Sequence, residues 1–456
     1  MNRYFNEKSN YDKYPVVNVP GMEEECRVGW RAISDRLEKD LSQIGKKVKV
    51  VVLECYQGVS DEEVVTALQS AFPASRWFFS ADAMKSPEQI DAILKQDITE
   101  DEIFGYMTRQ NMDCYFDGDK LPGIRSEIAA VTEGIVFVYG VGAAYVQPSY
   151  DLLVYADMAR WEIQMRFRRN EVSNVGISNR EERASLQYKR AFFVDWRICD
   201  RFKKKLMKKW DYVLDTNTAG NPKMATAKAI EAGLEKASRT PFRVVPFFDP
   251  GPWGGQWMKE VCDLDREVPN FAWCFDCVPE ENSLYLGFGD VRFELPSIDL
   301  VFAYPARLLG NPVYGRFGDE FPIRFDFLDT MEGGNLSLQV HPLTQYIQEK
   351  FGMHYTQDES YYMLDAAEDA TVYLGVKEGI EPEEMIDALN EAQESGCFDA
   401  EKYVGRYPVK KHDHLLIPAG TIHCSGTNGM VLEISATPYI FTFKLWDWGR
   451  LGLDGR

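Results

Sequence analysis

The order of apolar and polar positions divides the chain into two textures. Over residues 46–240, short apolar runs alternate with amphipathic stretches. Residues 48–53 form a β-branched run of the kind found in strands buried on both faces. That run leads into a turn containing Gly58, and Ser60 with Glu63 forms an S-x-x-E capping box that opens a helix. Residues 76–79, 135–139, 152–155 and 212–214 repeat the strand signal, with helical stretches between them. Such alternation predicts an α/β domain with a parallel sheet and crossover helices. Residues 1–45 read as a polar and aromatic N-terminal extension that becomes helical around 22–41. After Pro241 the period shortens. Residues 242–248, 323–327, 336–340, 361–364, 371–376, 415–417, 431–434 and 440–445 are β-rich, and Gly, Pro or Asn/Asp turns separate many of them. That pattern predicts an all-β sandwich or barrel over 241–456, interrupted by a helical insertion at 383–392. The expected organisation is therefore multi-domain, divided at 1–45, 46–240 and 241–456.

Composition narrows the function classes. With 456 residues, 45% hydrophobic and 27% charged, the chain is of ordinary globular type, which excludes disorder and fibres. The net charge is −20, and residues 241–456 carry nearly all of it, with 16 basic and 35 acidic residues. This acidity argues against non-specific nucleic-acid binding. All five histidines lie at or after position 341. The longest uncharged apolar stretch, 135–146, is about half the length of a spanning helix, and the N-terminus lacks the layout of a signal peptide. Nine scattered cysteines suit reduced thiols in a cytoplasmic protein without a membrane partner. The CxxC pair Cys274 and Cys277 has no second pair with which to make a zinc ribbon. Nothing in the pattern fixes the oligomeric state.

Over roughly 46–236 the element order is loosely similar to that of a P-loop kinase of the uridine- or nucleotide-kinase kind. The defining loop is absent. The corresponding segment, Glu54-Cys55-Tyr56-Gln57-Gly58-Val59-Ser60-Asp61, has no lysine, and its carboxylates would repel phosphate. Phosphoryl transfer is therefore not expected. Residues 160–209 nonetheless hold fifteen basic and six acidic residues. Arg160, Arg166, Arg168 and Arg169 could line a nucleotide or phosphate site. The alternative is a solvated helix face.

The histidines point to a metal. Gln339 and His341 alternate along a strand and so share a face. His423 follows a Pro418-Ala419-Gly420-Thr421-Ile422 turn. The spacing Asp413-x4-Pro418-x-Gly420-x2-His423 resembles the second motif of cupin barrels, although His412 stands where that motif opens with glycine. The first motif would supply Gln339, His341 and Glu359. Two imidazoles, a carboxylate and an amide oxygen suit Zn²⁺ or a similar divalent ion. His354, His412 and His414 read as turn or surface residues.

Several segments resemble, in order, type I mannose-6-phosphate isomerase, a zinc-dependent cupin. They are Pro252-Trp253-Gly254-Gly255, Leu308-Leu309-Gly310, Phe321-Pro322, Leu328-Asp329, Asn335-Leu336-Ser337-Leu338-Gln339-Val340-His341-Pro342, Gln357-Asp358-Glu359-Ser360-Tyr361-Tyr362, Pro418–His423 and Asp447-Trp448-Gly449-Arg450. The resemblance covers 241–456. It implies a C-terminal cupin jelly roll with one zinc per chain held by Gln339, His341, Glu359 and His423. It also implies interconversion of mannose 6-phosphate and fructose 6-phosphate through a cis-enediolate, with Glu433 as the base. The chain departs from the family at its cationic positions. Asp326 and Gln357 stand where the family has lysines, and Lys444 replaces an active-site arginine. Arg324, Lys444 and Arg450 are the remaining candidates for binding the sugar phosphate, and Lys444 also for catalysis. The altered cations favour a rival reading, a non-catalytic metal-bound carbohydrate or nucleotide sensor.

Overall fold

The computed structural model describes residues 4–5, 7–437 and 442–451. Its strands, in chain order, begin with β1 (Val16–Asn18), β2 (Cys26–Val28), β3 (Val48–Cys55), β4 (Arg76–Phe79), β5 (Gly134–Gly140), β6 (Leu152–Asp157), β7 (Tyr212–Asp215) and β8 (Lys223–Thr226). They continue with β9 (Phe247–Asp249), β10 (Trp273–Cys277), β11 (Ser283–Phe288), β12 (Val291–Pro296), β13 (Ile323–Asp329), β14 (Leu338–Val340) and β15 (Asp358–Ala366). The last are β16 (Thr371–Val376), β17 (Val404–Pro408), β18 (His414–Ile417), β19 (His423–Ser425), β20 (Gly429–Ala436) and β21 (Phe443–Trp446). The expected strand at 440–445 thus begins at residues outside those described. No helix among the described residues is long and apolar enough to cross a membrane.

The chain forms two compact units. One comprises Val16–Phe242 and Ser283–Asp319, the other Met1–Pro15, Arg243–Asn282 and Glu320–Arg456. This division differs from one at residue 240. Residues 16–45 and 283–319 join the α/β unit, and the first fifteen residues join the β unit. The reason is pairing and charge. β1 pairs in parallel with β11, and β11 pairs antiparallel with β12, making a three-stranded sheet. Lys203 Nζ donates to both carboxylate oxygens of Asp157 at 2.7 Å and to Asp299 at 2.8 Å, all three side chains being buried.

The α/β unit is built on a seven-stranded sheet, β2-β8-β7-β6-β3-β5-β4. β4, β5, β3, β6 and β7 are parallel, as the alternating pattern predicts, while β8 and β2 add an antiparallel edge. Val51, Val52 and Leu53 are wholly buried at its centre. Half of the expected capping box forms: the Ser60 hydroxyl accepts from the Glu63 N–H, while the Glu63 carboxylate accepts from the Trp30 indole and the Gly220 N–H. The first long helix is Trp30–Gln43, not 22–41. Gly29, at φ 83°, turns the chain from β2 into the helix.

The segment 54–61 and the arginines of 160–169 turn much of their polarity onto the unit's own backbone and side chains. Glu54 accepts the N–H groups of Gly142 and Ala144, each at 2.7 Å. Arg166 donates to the carbonyls of Gly58 (2.8 Å) and Thr216 (2.7 Å), and a Cβ on Gly58 would lie 2.8 Å from Ile163. Arg160 pairs with Asp200, Arg169 with Glu162 and Glu171, and Arg168 lies over the Trp161 ring.

The β unit contains two antiparallel sheets, β18-β15-β20-β13-β10-β9 and β17-β16-β19-β14-β21. Leu328, Tyr361, Met363 and Val431 of the first sheet share one buried cluster with Leu338, Val372, Val404 and Cys424 of the second. The helical insertion spans Pro382–Ser395, between β16 and β17. β9 starts at Phe247, later than the apolar run suggests, because Pro246 has no N–H to donate to a ladder.

Two stability measurements follow from the α/β unit. Lys203→Met leaves Asp157 and Asp299 buried without a cation, and should cost about 3–5 kcal/mol in urea unfolding; a loss below about 1 kcal/mol would contradict the ion cluster's role. Burial, opposed by the two N–H bonds, pushes Glu54 up to about 8 from 4.5. The folded state therefore holds a proton that the unfolded state releases. The associated stability is complete below pH 4.5 and is lost as pH rises toward about 8. Glu54→Gln should remove that part of the slope, and an unchanged slope would refute the assignment.

Candidate metal centre and adjoining cavity

Gln339 lies on β14, and His341 follows directly after that strand. His423 opens β19, whose register sets it opposite Gln339 on one side and Leu374 on the other. Gly420 makes the intervening turn at φ 85°, and its N–H donates to the His341 carbonyl at 2.8 Å. Glu359 comes from β15 of the other sheet. His341 and His423 are completely buried, with ring centroids 4.9 Å apart. His341 Nε2 lies 2.9 Å from Glu359 Oε2, and His423 Nε2 lies 2.7 Å from Glu359 Oε1. Ligand atoms of these three residues all fall within 4.8 Å of one another.

The donor set fits a divalent cation. His423 Nδ1 donates to the Thr421 carbonyl at 2.8 Å, so the Nε2 lone pair faces Glu359 whenever the ring is neutral. Glu359 Oε1 is buried and makes no hydrogen bond despite that approach. Lone pairs this close repel unless a proton or a metal ion lies between them. Burial acts to raise Glu359's pKa, but positive charge on His423 and the His341 hydrogen bond outweigh it, holding the carboxyl well below the usual range. The Gln339 amide nitrogen lies 3.4 Å from His423 Nε2, and an amide turn would present its oxygen instead.

Gln357 connects this centre to a cavity. Its amide donates to Glu359 at 2.9 Å and to Glu433 at 3.3 Å. The cavity has a volume of about 300 Å³, with Gln339 and Gln357 in its wall. Trp253, Trp273 and Phe275 form an aromatic side; the two indoles meet edge to face, with centroids 4.7 Å apart. Gly254 and Gly255 let the Trp253 loop pack so closely that a Cβ on either would come within 2.1 Å of Asn270 or Asp329.

The remaining predicted residues do not all converge. Glu433, on β20, faces Asp326 on β13 and Tyr361 on β15, and it lines the cavity. Burial, then the charges of Asp326 and Glu359, push its carboxyl well above the usual range. Arg324 also lines the cavity, but its guanidinium pairs with Glu280 at 2.6 Å and donates to the Thr437 carbonyl. Lys444 sits opposite Gln339 at the exposed edge of the cavity, with Nζ 3.7 Å from Asp447. Arg450 is not in the cavity wall. It donates to Asp447 at 2.6 Å and to the Asn335 carbonyl at 2.7 Å. His412 accepts or donates at the Tyr362 hydroxyl (2.8 Å) on the surface, and His354 and His414 are exposed.

Sequence reading missed three carboxylates: Asp326 as the partner across from Glu433, Asp249 in the wall, and Glu280 as the acceptor for Arg324. Asp326 had a usable signal, since it alternates with Arg324 along one strand. Glu280 had none, because it lies in a loop 44 positions away.

Comparison with known proteins adds two findings. Residues 29–239 match a family model described as a domain of unknown function, DUF8485. About 45% of the chain is homologous to mannose-6-phosphate isomerases at low identity. It is 25% identical over 220 residues to mannose-6-phosphate isomerase ManA of Bacillus subtilis, covering 46% of this chain and 62% of that protein. It is 26% identical over 211 residues to the mannose-6-phosphate isomerase of Streptococcus mutans, covering 45% and 60%. The chain thus spans about three fifths of the length of these relatives. Among solved structures, mannose 6-phosphate isomerase from Bacillus subtilis aligns with a TM-score of 0.38 and 22% identity, over 47% of this chain and 63% of that one.

The purified protein should bind about one zinc ion per chain, raising its melting temperature, and His423→Ala should abolish both effects. A metal content that His423→Ala leaves unchanged would rule out this centre.

Proposed function

We propose that the protein is a zinc-dependent aldose–ketose isomerase of hexoses, acting through a cis-enediolate. The substrate pair to test first is mannose 6-phosphate and fructose 6-phosphate. The observation that carries this reading is the buried Gln339, His341, Glu359, His423 cluster, joined through Gln357 to Glu433 in the wall of a cavity. The partial, low-identity relationship to mannose-6-phosphate isomerases supports it. So does the pair of antiparallel sheets around one core, which we read as a cupin jelly roll. The parallel strands of the other unit support a kinase-like fold without a working P-loop, and its engaged arginines make a phosphate ligand there the weaker of our proposals.

The four cluster residues would hold zinc, which when bound polarises sugar oxygens and stabilises developing negative charge. Glu433 would take the proton from C2 of the aldose and return it at C1. Its buried, acid-rich surroundings raise its basicity toward that task. Gln357 orients Glu433 by its hydrogen bond. Lys444, at the mouth, would contribute a point charge to a substrate oxygen, and Arg450 would brace the turn at Asp447. A second reading, a carbohydrate sensor that binds metal without turnover, is favoured by one observation: the Arg324 guanidinium is already paired.

Zinc-loaded protein, a panel of hexoses and hexose 6-phosphates, and proton NMR in D₂O separate the two. Isomerisation should place deuterium at C1 of the ketose. Glu433→Gln should lower kcat by about 10²–10⁴-fold with zinc retained. Neither turnover nor exchange with any member of the panel would defeat the isomerase reading.

A further inference from the structure

The wall of the cavity is poorly suited to a phosphate ester. Three carboxylates line it, Asp249, Asp326 and Glu433, against two cations, Arg324 and Lys444. Arg324 does not offset them for a ligand. Its guanidinium is buried against Glu280 at 2.6 Å and donates to the Thr437 carbonyl. Lys444 stands at the exposed rim, 3.7 Å from another carboxylate, Asp447.

Asp326 is the informative residue. It is nine-tenths buried and lines the cavity, with no hydrogen-bond or ion-pair partner among the described residues. Across the strand pair it faces Glu433, another acid, and the Arg324 charge that acts on it is itself paired with Glu280. A buried carboxylate without a partner costs free energy that a ligand donor would recover. A phosphate has no proton to spare at neutral pH and would meet like charge. A sugar hydroxyl donates to a carboxylate and accepts from the Gln357 and Ser435 side chains in the same wall. The Trp253, Trp273 and Phe275 side offers apolar ring faces for the C–H face of a pyranose or furanose.

We infer that this cavity selects an unphosphorylated sugar, an uncharged aldose or ketose whose hydroxyls donate to Asp326 and Glu433. The inference rests on the isomerase reading only for the location of the sugar.

Saturation-transfer NMR titrations of zinc-loaded protein with D-mannose, D-fructose and their 6-phosphates measure the selection directly. Each neutral sugar should bind at least tenfold more tightly than its 6-phosphate. Glu280→Gln, which releases Arg324, and Asp326→Lys should both shift the preference toward the phosphate ester. Equal or tighter binding of the phosphates by the unaltered protein would overturn the inference, as would a failure of all four to bind. The two readings fail separately. Deuterium exchange confined to the phosphates leaves the isomerase standing and removes the neutral sugar. Tight binding of neutral sugars without any exchange does the reverse.

Discussion

A carboxylate buried within 2.9 Å of two imidazole nitrogens needs a proton or a cation to hold the three together. The β unit is organised around that constraint. Glu359 enters from one sheet, and Gln339, His341 and His423 come from the other, so the residues that meet at this centre draw on both sheets. The Thr421 carbonyl fixes the His423 tautomer, and the Gly420 turn fixes where that ring stands. Gln357 carries the polarity outward to Glu433, and from there the row of acids continues to Asp326. The cavity inherits its electrostatics from this centre.

Much of the arrangement was legible in the sequence, because period-two alternation and β-branched runs are local signals. The strand beginning at Val48, the Ser60 cap, the spacing of Gln339 from His341 and the Pro418–His423 turn are each contained within a few residues. What escaped was non-local. That Asp326 faces Glu433 is a matter of register between strands about a hundred positions apart. Arg324 looked like a substrate cation because its strand face was readable and the loop glutamate opposite it was not. Arg450 fell within a recognisable closing motif, yet its donors are consumed by Asp447 and Asn335. The helix expected at 22–41 began late because one glycine with positive φ outweighed a broad amphipathic pattern.

The basic stretch at 160–209 is a related case. Its excess of positive charge suggested a ligand, but much of that charge is neutralised inside the unit. Arg160 serves Asp200, Arg166 serves two carbonyls, and Lys203 serves two aspartates. Net charge along a segment therefore measured the demand of buried acids more than an appetite for phosphate. In the β unit the converse holds. There three carboxylates reach the cavity wall, where local charge matters most.

The division of the chain also bears on how the molecule can be made. The polypeptide leaves one unit and enters the other four times, at the boundaries near 15, 242, 282 and 319. During synthesis the α/β unit emerges first but lacks β11, β12 and Asp299 until residue 299 and beyond have left the ribosome, so Lys203 must wait for its second counter-ion. The β unit waits longer still, since Glu359 and His423 arrive well after its opening strands. Cutting the gene between residues 240 and 241 would yield two fragments, each missing pieces of its own core. The two units are separable as bodies of packing but not as two continuous stretches of chain.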